Sequence, residues 1–339
     1  MLSRRAFLIR SAAVGLGAAI ARKAQEAHAA GPVRTLTLGH DQAPDSAYGF
    51  AAETFAKKLA ELSGGTMQVR LFPNAALGQE PEMIQKVRTG DIDFALNATA
   101  NTATAVPQAG VLSLHYIFRD EAHLEKAMND PAINESFKKM IAENVAGARS
   151  LGLFTVGLRN MYAKFTISGL ADLNGKKVRV QATKTEDAVF TQAYKAIPVH
   201  MPFGQVFTSL QTGLVQIAEN VNDNYLKAKH YEAAPVLNKT EHEAATNHIW
   251  ISQKTWDGFT DEQKRWAVQS ANYTLPLATQ KALALEAQAV KTLQGLGVKW
   301  NDRVDKMSMM AAATPLQDGQ AQELGPYAVQ LLGLLRNLK

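Results

Sequence analysis

Apolar and polar residues repeat with two different periods in the first part of the chain. Residues 36–39 alternate as in a β-strand, whereas residues 47–62 place apolar side chains at helical spacing. The same change of period recurs, with a strand at residues 67–71, a helix that opens at Pro81 and a strand at residues 92–96. Strands that alternate with helices in this way predict an α/β fold with a largely parallel sheet.

A second unit of helix, glycine and strand occurs after residue 200. Residues 205–211 have the pattern of a helix that ends at Thr212-Gly213, and residues 214–219 follow as a strand. Aligning this end with Thr89-Gly90 pairs Asn97 with Asn220, each at the carboxyl end of its strand. Ligands of open α/β sheets bind beside such strand ends. We therefore expect one unit in each of two lobes, with both asparagines near a cleft; a chance match between two common units is the alternative.

The length of the chain and its later periodicity also favour two lobes. Single hydrophobic cores stop growing near about 250–300 residues, and this chain has 339. Residues 151–157 and 162–165 are predicted to be strands that join the lobes. Thr260 and Gln263 have the spacing of a capping box, which predicts a long helix. Pro276 interrupts it, and we expect a bend there as the helix passes between the lobes.

The first thirty residues have the organisation of an export signal. Arg4, Arg5 and Arg10 precede a small apolar stretch, and residues 27–29 supply the small-x-small pattern of a cleavage site. The apolar stretch is shorter than the roughly 20 residues needed to cross a bilayer. Residues 3–8 resemble the twin-arginine signal pattern. We expect export to the periplasm by the twin-arginine route, with no membrane insertion after the signal is removed.

Charge and cysteine content exclude several classes of function. The net charge is +5, but residues 1–30 contribute five basic residues against one acid, or +4, which leaves +1 for the remainder. A basic surface for nucleic acid is therefore not predicted. The chain has no cysteine, which excludes disulfides, thiolate metal sites and cysteine nucleophiles.

Arg179 is the main candidate for a functional side chain. It lies in the middle of the predicted strand at residues 177–181, where a charged side chain needs a partner or water. One interpretation is that its guanidinium reaches into the cleft and binds a ligand carboxylate through two hydrogen bonds. The other is an edge strand with Lys177 and Arg179 in solvent. Arg159, which follows an earlier predicted strand, allows the same two interpretations.

Two other functional classes are weighed against a binding protein. An exported hydrolase or other enzyme acting on a small anion is one alternative, but His242-Glu243 lacks the second histidine of a zinc helix, and no Gly-x-Ser-x-Gly motif is present. We predict no catalytic residues, no metal ligands and no cofactor. The other alternative is a protein that docks a partner through residues 331–335. Buried arginines that face the cleft would disfavour this alternative.

Several segments together resemble the periplasmic binding subunit of tripartite ATP-independent periplasmic (TRAP) transporters. They extend from about residue 35 to the C-terminal region and are Leu77-Gly78-Gln79-Glu80, Val87-Arg88-Thr89-Gly90-Asp91-Ile92-Asp93, Phe118-Arg119-Asp120, Gly157-Leu158-Arg159, residues 173–180, Leu210-Gln211-Thr212-Gly213 and Glu219-Asn220. The resemblance implies a two-lobe fold like that of type II periplasmic binding proteins, with a long helix spanning the lobes. We expect residues 31–156 and about 243–280 in lobe I, and residues 157–242 and about 281–339 in lobe II.

The resemblance also implies a function and a set of ligand contacts. It implies capture of a small organic acid by domain closure and delivery to the two-part membrane permease of a TRAP transporter. Arg179 matches the family's main carboxylate ligand, and Arg159, Asn220 and Phe203 match supporting positions. The chain departs from the family at Gln216-Ile217, so the resemblance does not imply which acid is bound.

Contacts from lobe I are predicted by position alone. They are Asn97 and Glu80, with His40 or Tyr48 as further candidates. Glu80, beside Pro81, has the alternative role of a favourable charge at a helix N-terminus. Phe203 could equally be a core residue.

Overall fold

A computed structural model describes residues 32–339 of the chain, so the predicted export signal lies outside the described residues. The strands are β1 (Arg34–Gly39), β2 (Met67–Phe72), β3 (Phe94–Ala98), β4 (Ala148–Ala163), β5 (Lys177–Val180), β6 (Ile197–His200), β7 (Ile217–Asn220), β8 (Val236–Ser252) and β9 (Lys299–Asn301). The helices are α1 (Ala47–Leu62), α2 (Glu80–Thr89), α3 (Thr99–Thr102), α4 (Glu121–Asn129), α5 (Pro131–Asn144), α6 (Lys184–Ala188), α7 (Val206–Thr212), α8 (Asn222–Lys227), α9 (His230–Ala233), α10 (Gln253–Asp257), α11 (Asp261–Gly295), α12 (Lys306–Ala313), α13 (Gln317–Leu324) and α14 (Pro326–Asn337).

The strands form one mixed sheet in the order β2-β1-β3-β8-β4-β7-β5-β6, with β9 beside β8. Strands β1, β2 and β3, the first strand group, pair in parallel. Strands β5, β6 and β7, the second strand group, also pair in parallel. The antiparallel pair β4 and β8 joins the two groups. The predicted α/β class, with two mainly parallel groups of strands, is confirmed.

The two joining strands are much longer than the sequence pattern indicated. Strand β4 has 16 residues and runs without interruption through the two short strands predicted there. Its pairing with β8 shifts register between Thr155 and Leu158, next to Gly157, whose φ of 121° favours glycine. Strand β8 has 17 residues and was not predicted, because almost all of it is buried and it lacks a polar face with a period of two.

The two aligned helix–strand units exist as predicted. Gly90 and Gly213 end α2 and α7 in the left-handed conformation, each with a φ of 78°. A glycine adopts this conformation without the steric cost that a side chain would add. Strands β3 and β7 then lead into the region between the two strand groups.

The long helix α11 begins where the sequence predicted. Thr260 Oγ1 accepts from the backbone N–H of Gln263 at 3.2 Å, and the Gln263 side chain accepts from the backbone N–H of Thr260 at 3.0 Å. The helix continues through Pro276 for 35 residues in all. A bend at Pro276 stays a prediction. Within residues 32–339, no helix combines the length and the apolar character needed to cross a membrane.

The C-terminal helices belong to the core around the first strand group. Leu331, Leu332 and Leu335 are buried in the same apolar cluster as Phe137 and Trp250. Core packing therefore accounts for this amphipathic segment without a docking partner. The predicted lobe boundaries stay predictions, including the assignment of residues 281–339 to lobe II. Three of these boundaries fall inside β4, β8 and α11.

Candidate ligand-binding site

A narrow cavity lies between the two strand groups, beside the joining pair β4 and β8. It has about 340 Å³ of space free of protein atoms, including its opening to solvent. Its lining is largely polar and consists of Asp41, Gln42, Tyr48, Glu80, Ala98, Asn101, Val156, Arg159, Arg179, Gln181, Phe203, Asn220, Asn224, Ala245 and Asn247. Five of the six predicted ligand contacts are therefore brought together here.

Arg179 is held at the cavity wall by three hydrogen bonds. Its Nε and Nη2 donate to the carbonyl oxygen of Met201 at 3.2 and 3.0 Å, and its Nη1 lies 3.4 Å from Glu219 Oε1. A guanidinium has five N–H donors, so the contacts among residues 32–339 leave two of them for another acceptor. The planar geometry of those donors suits a carboxylate.

Arg159 shares the same carboxylate. Its Nε contacts Glu219 Oε2, its Nη2 donates to the Glu219 carbonyl at 3.1 Å, and Glu243 Oε2 lies 3.5 Å from Nε. Glu219 is completely buried and thus bridges both guanidinium groups. Burial, followed by the charge of Glu186, raises the pKa of Glu243 well above its usual value. Glu219 is thus the carboxylate in contact with both guanidinium groups.

The solvent-exposed interpretation of the two arginines is wrong. Strand β5 lies between β7 and β6, so it is not an edge strand. Arg179 is 2 % exposed and Arg159 is 3 % exposed. Charged side chains this deeply buried need compensating partners, which Glu219 supplies in part.

The first strand group contributes a hydrogen-bonding wall centred on Glu80. Glu80 accepts from the Ala98 N–H at 3.0 Å and from Asn101 Nδ2 at 2.7 Å. The Tyr48 hydroxyl contacts Glu80 Oε1 at 3.2 Å and also contacts Asn247 Oδ1. Burial, followed by the charge of Asp41, raises the pKa of Glu80 to about 8. Glu80 is also the first residue of α2, so it lines the cavity from a helix N-terminus and both predicted roles are structurally compatible.

The remaining predicted residues lie in different places. Asn220 lines the cavity at the end of β7, and its Oδ1 accepts from Asn224 Nδ2 at 3.1 Å. Phe203 is half-buried at the cavity, with its ring centroid 5.3 Å from that of His230, and is not a core residue.

Asn97 is fully buried and does not line the cavity, because its side chain points towards the Glu80 carbonyl. The alignment of the two units therefore located a cavity-lining side chain in only one of them.

Several lining residues were missed by the sequence analysis. They are Asp41, Gln42, Asn101, Gln181, Asn224 and Asn247. Asp41 and Gln42 lie two and three residues after the end of β1, and Gln181 follows β5 directly. The rule that ligands bind beside the carboxyl ends of parallel strands could have found these three. Asn247 lies within β8, and only the pairing of that strand places it here.

Direct hydrogen bonds connect the two strand groups around the cavity. Ala182 N–H donates to Asn101 Oδ1 at 3.2 Å, and Gly204 N–H donates to Gln79 Oε1 at 3.3 Å. Lys227 Nζ donates to the Asp45 carbonyl at 2.7 Å. These contacts join elements from both sides, so the described conformation is one in which the two sides meet over the cavity.

The buried carboxyl group of Glu186 lies behind the two arginines, and we expect it to make the stability of the fold depend on pH. Burial, followed by the charge of Glu219, raises its pKa to about 8. A group protonated in the folded state but ionised in the unfolded chain stabilises the fold at low pH. That stabilisation is complete below the unfolded pKa near about 4.3 and is lost as pH rises through about 8. We expect the free energy of unfolding to decline over this range, and the decline to be smaller in Glu186→Gln.

Denaturant unfolding of both proteins at a series of pH values measures this effect. Glutamine cannot ionise but has nearly the same shape, so the difference between the two curves isolates the proton on Glu186. Parallel curves from pH 5 to pH 9 would contradict the prediction.

Comparison with known proteins identifies the family of this chain. A family model described as bacterial extracellular solute-binding protein, family 7, matches residues 38–323. The chain belongs to this family. A solute-binding protein of Chromohalobacter salexigens is 30% identical over 285 residues, covering 83% of this chain and 82% of the relative.

Two solved structures of TRAP periplasmic solute-binding proteins resemble this family 7 chain throughout. One, from a Bradyrhizobium in complex with galacturonate, superposes with a TM-score of 0.84 at 28% identity, covering 90% of this chain and 100% of that one. The other, from Chromohalobacter salexigens with bound D-glucuronate, has a TM-score of 0.83 at 26% identity, with the same coverage of both chains. The predicted resemblance to TRAP binding subunits is thereby confirmed.

Proposed function

We propose that this family 7 protein captures a small hydroxylated organic acid, with the ligand carboxylate bound by Arg179 and Arg159. The observation that carries the proposal is the pair of buried guanidinium groups sharing Glu219, with two N–H groups of Arg179 left for a further acceptor. A ligand carboxylate would accept hydrogen bonds from these remaining N–H groups. Charge-assisted hydrogen bonds in such a buried place are stronger than those in water.

Sugar acids are the ligand class that best fits the rest of the lining. Glu80, Asn101 and Asn247 provide both donors and acceptors on the side of the first strand group. A carboxylic acid that also has several hydroxyl groups would satisfy both the arginines and this amide-rich wall. The two relatives bound to galacturonate and glucuronate support this class.

Closure of the two sides over the ligand is the proposed mechanism. The hydrogen bonds from Ala182, Gly204 and Lys227 across the cavity would form when the sides meet and would break when they separate. A ligand shifts this equilibrium only by its preference for the closed form. Exclusion of water then strengthens the contact between carboxylate and arginine.

Membership of the family and the signal-like pattern at residues 3–8 support the proposed cellular role. The protein would act in the periplasm, reached by the twin-arginine route, and would present the loaded closed form to the permease of a TRAP transporter. Binding without turnover is proposed, since the solved relatives are binding proteins and two buried arginines line the cavity.

A thermal-shift screen tests the ligand class. D-galacturonate and D-glucuronate are expected to raise the melting temperature, since a ligand at 100 times its Kd stabilises the folded protein by about 2.7 kcal/mol. D-galactose and D-glucose, which lack the carboxylate, serve as matched neutral controls and are expected to have little effect. Equal shifts with acids and neutral sugars, or no shift with any organic acid, would contradict the proposal. Conversion of an acid during incubation, detected by mass spectrometry, would favour the enzyme alternative.

A further inference from the structure

Three side chains with metal-ligating atoms meet in the interior, behind Arg159. His115 follows the short helical turn at Pro107–Ser113, and His242 and Glu243 are neighbours in β8. One possible ligand atom from each residue, an imidazole nitrogen or a carboxylate oxygen, lies within 4.8 Å of those of the other two. All three residues are buried, and none of them lines the ligand cavity.

Both imidazole rings are held by hydrogen bonds from their other nitrogen. His115 Nδ1 lies 2.9 Å from the Tyr194 hydroxyl, and His242 Nδ1 lies 2.7 Å from Thr240 Oγ1. The ring centroids are 4.7 Å apart at an angle of 64°. Such bonds to the second nitrogen fix the orientation of the ring and are the usual outer contacts of metal-binding histidines.

The second nitrogens of the two imidazole rings have no comparable partners. Within the described part of the chain, His115 Nε2, His242 Nε2 and Glu243 Oε2 make no hydrogen bond, and Glu243 Oε2 has only the ion-pair contact with Arg159 at 3.5 Å. Buried polar atoms are nearly always satisfied, so two such nitrogens side by side require an explanation. His248 provides the contrast, since it is equally buried but bonds Thr102 Oγ1 at 2.8 Å and Ser150 Oγ at 3.0 Å.

We propose that His115, His242 and Glu243 bind a divalent transition-metal ion of the zinc class. Two imidazole nitrogens and one carboxylate oxygen are a donor set typical of zinc, with a fourth position available. Zinc–ligand distances are about 2.0–2.2 Å, so each ligand atom needs to move inward by less than about 1 Å. The site connects the segment before α4 to the joining strand β8, so the metal stabilises that connection.

The local charge is compatible with a dication. Glu219 is the main partner of Arg159, whose distance to Glu243 Oε2 is 3.5 Å. Metal ligands bind in their deprotonated form, so the Glu243 carboxylate contributes one negative charge against the dication.

Cobalt binding to the untagged full chain tests the site. After treatment with a chelator, the wild-type protein is expected to bind one equivalent of Co²⁺, with visible absorption bands of a tetrahedral nitrogen–oxygen site. Zn²⁺ is expected to abolish those bands by competition and to raise the melting temperature of the metal-free protein. Absence of stoichiometric binding by the wild-type chain would overturn the proposal without reference to any variant.

Three variants locate the metal. His115→Asn and His242→Asn keep a polar group near the position of Nδ1 and remove Nε2, while Glu243→Gln keeps the shape of the side chain and removes its charge. Each is expected to weaken Co²⁺ binding by more than about 100-fold. Loss of a residue that only hydrogen-bonds to a metal ligand weakens binding by up to about 100-fold. His248→Asn is the matched control, because it removes an equally buried histidine outside the cluster and should bind Co²⁺ like the wild type. Co²⁺ binding by all three variants at wild-type affinity would overturn the assignment of these residues as ligands. If the histidine variants fail to fold, Glu243→Gln, the least disruptive change, decides the assignment.

Discussion

Replacement of Arg179 by alanine is expected to weaken binding of a sugar acid by about 2–5 kcal/mol. Arg179 is nearly completely buried, and its contacts with Met201 and Glu219 orient the guanidinium towards the cavity. Its loss would leave a ligand carboxylate in a dry environment with only Arg159 to pair with, and Arg159 is already engaged by Glu219. Titration calorimetry with the acid identified in the screen measures the change in affinity.

Two controls separate loss of the carboxylate contact from general damage. Arg149→Ala removes an arginine that is outside the cavity, near Trp256, and should leave affinity unchanged. The methyl ester of the same acid, which has no anionic group, should lose little affinity when Arg179 is replaced. Equal affinity of Arg179→Ala and the wild type for the free acid would disprove the assigned role.

Replacement of Glu219 by glutamine is expected to lower the free energy of unfolding by about 3–5 kcal/mol, the usual range when one partner of a buried ion pair is removed. The Glu219 carboxylate contacts both Arg159 and Arg179 and is inaccessible to solvent. Without its charge, two guanidinium groups remain close together in the interior. A bound organic anion would replace part of the lost charge, so saturating ligand should stabilise this variant more than it stabilises the wild type.

Denaturant unfolding with and without ligand measures both parts of this expectation. Glu232→Gln is the control, since Glu232 is solvent-exposed and its neutralisation should change stability little. If Glu219→Gln unfolded at the same denaturant concentration as the wild type, Glu219 would not be the residue that compensates the two arginines. If ligand stabilised both proteins equally, the anion would not take its place.

The candidate site was only partly accessible from the sequence. Arg179 was recognisable because a charge in the middle of an apolar strand conflicts with the local pattern and therefore requires a partner. Asn97 was misplaced because the alignment of two units predicts position along a strand but not which neighbour the side chain will contact. Asn101 and Asn247 gave no signal, since polar residues at a short helix or in a buried strand are also common for purely structural reasons.

The sequence by itself determined the local elements of this protein, because helical and strand periods and glycine caps depend on residues close together in the chain. It thereby determined the two helix–strand units, the start of the long helix and the general class of fold. Only the tertiary structure decided that β8 lies between β3 and β4 and that Arg159 and Arg179 meet at Glu219. Glu219 is 60 residues from Arg159 and 40 from Arg179 along the chain. The packing of the whole sheet brings these three charges into one low-dielectric space, and the energy of their pairing depends on that burial rather than on any local pattern.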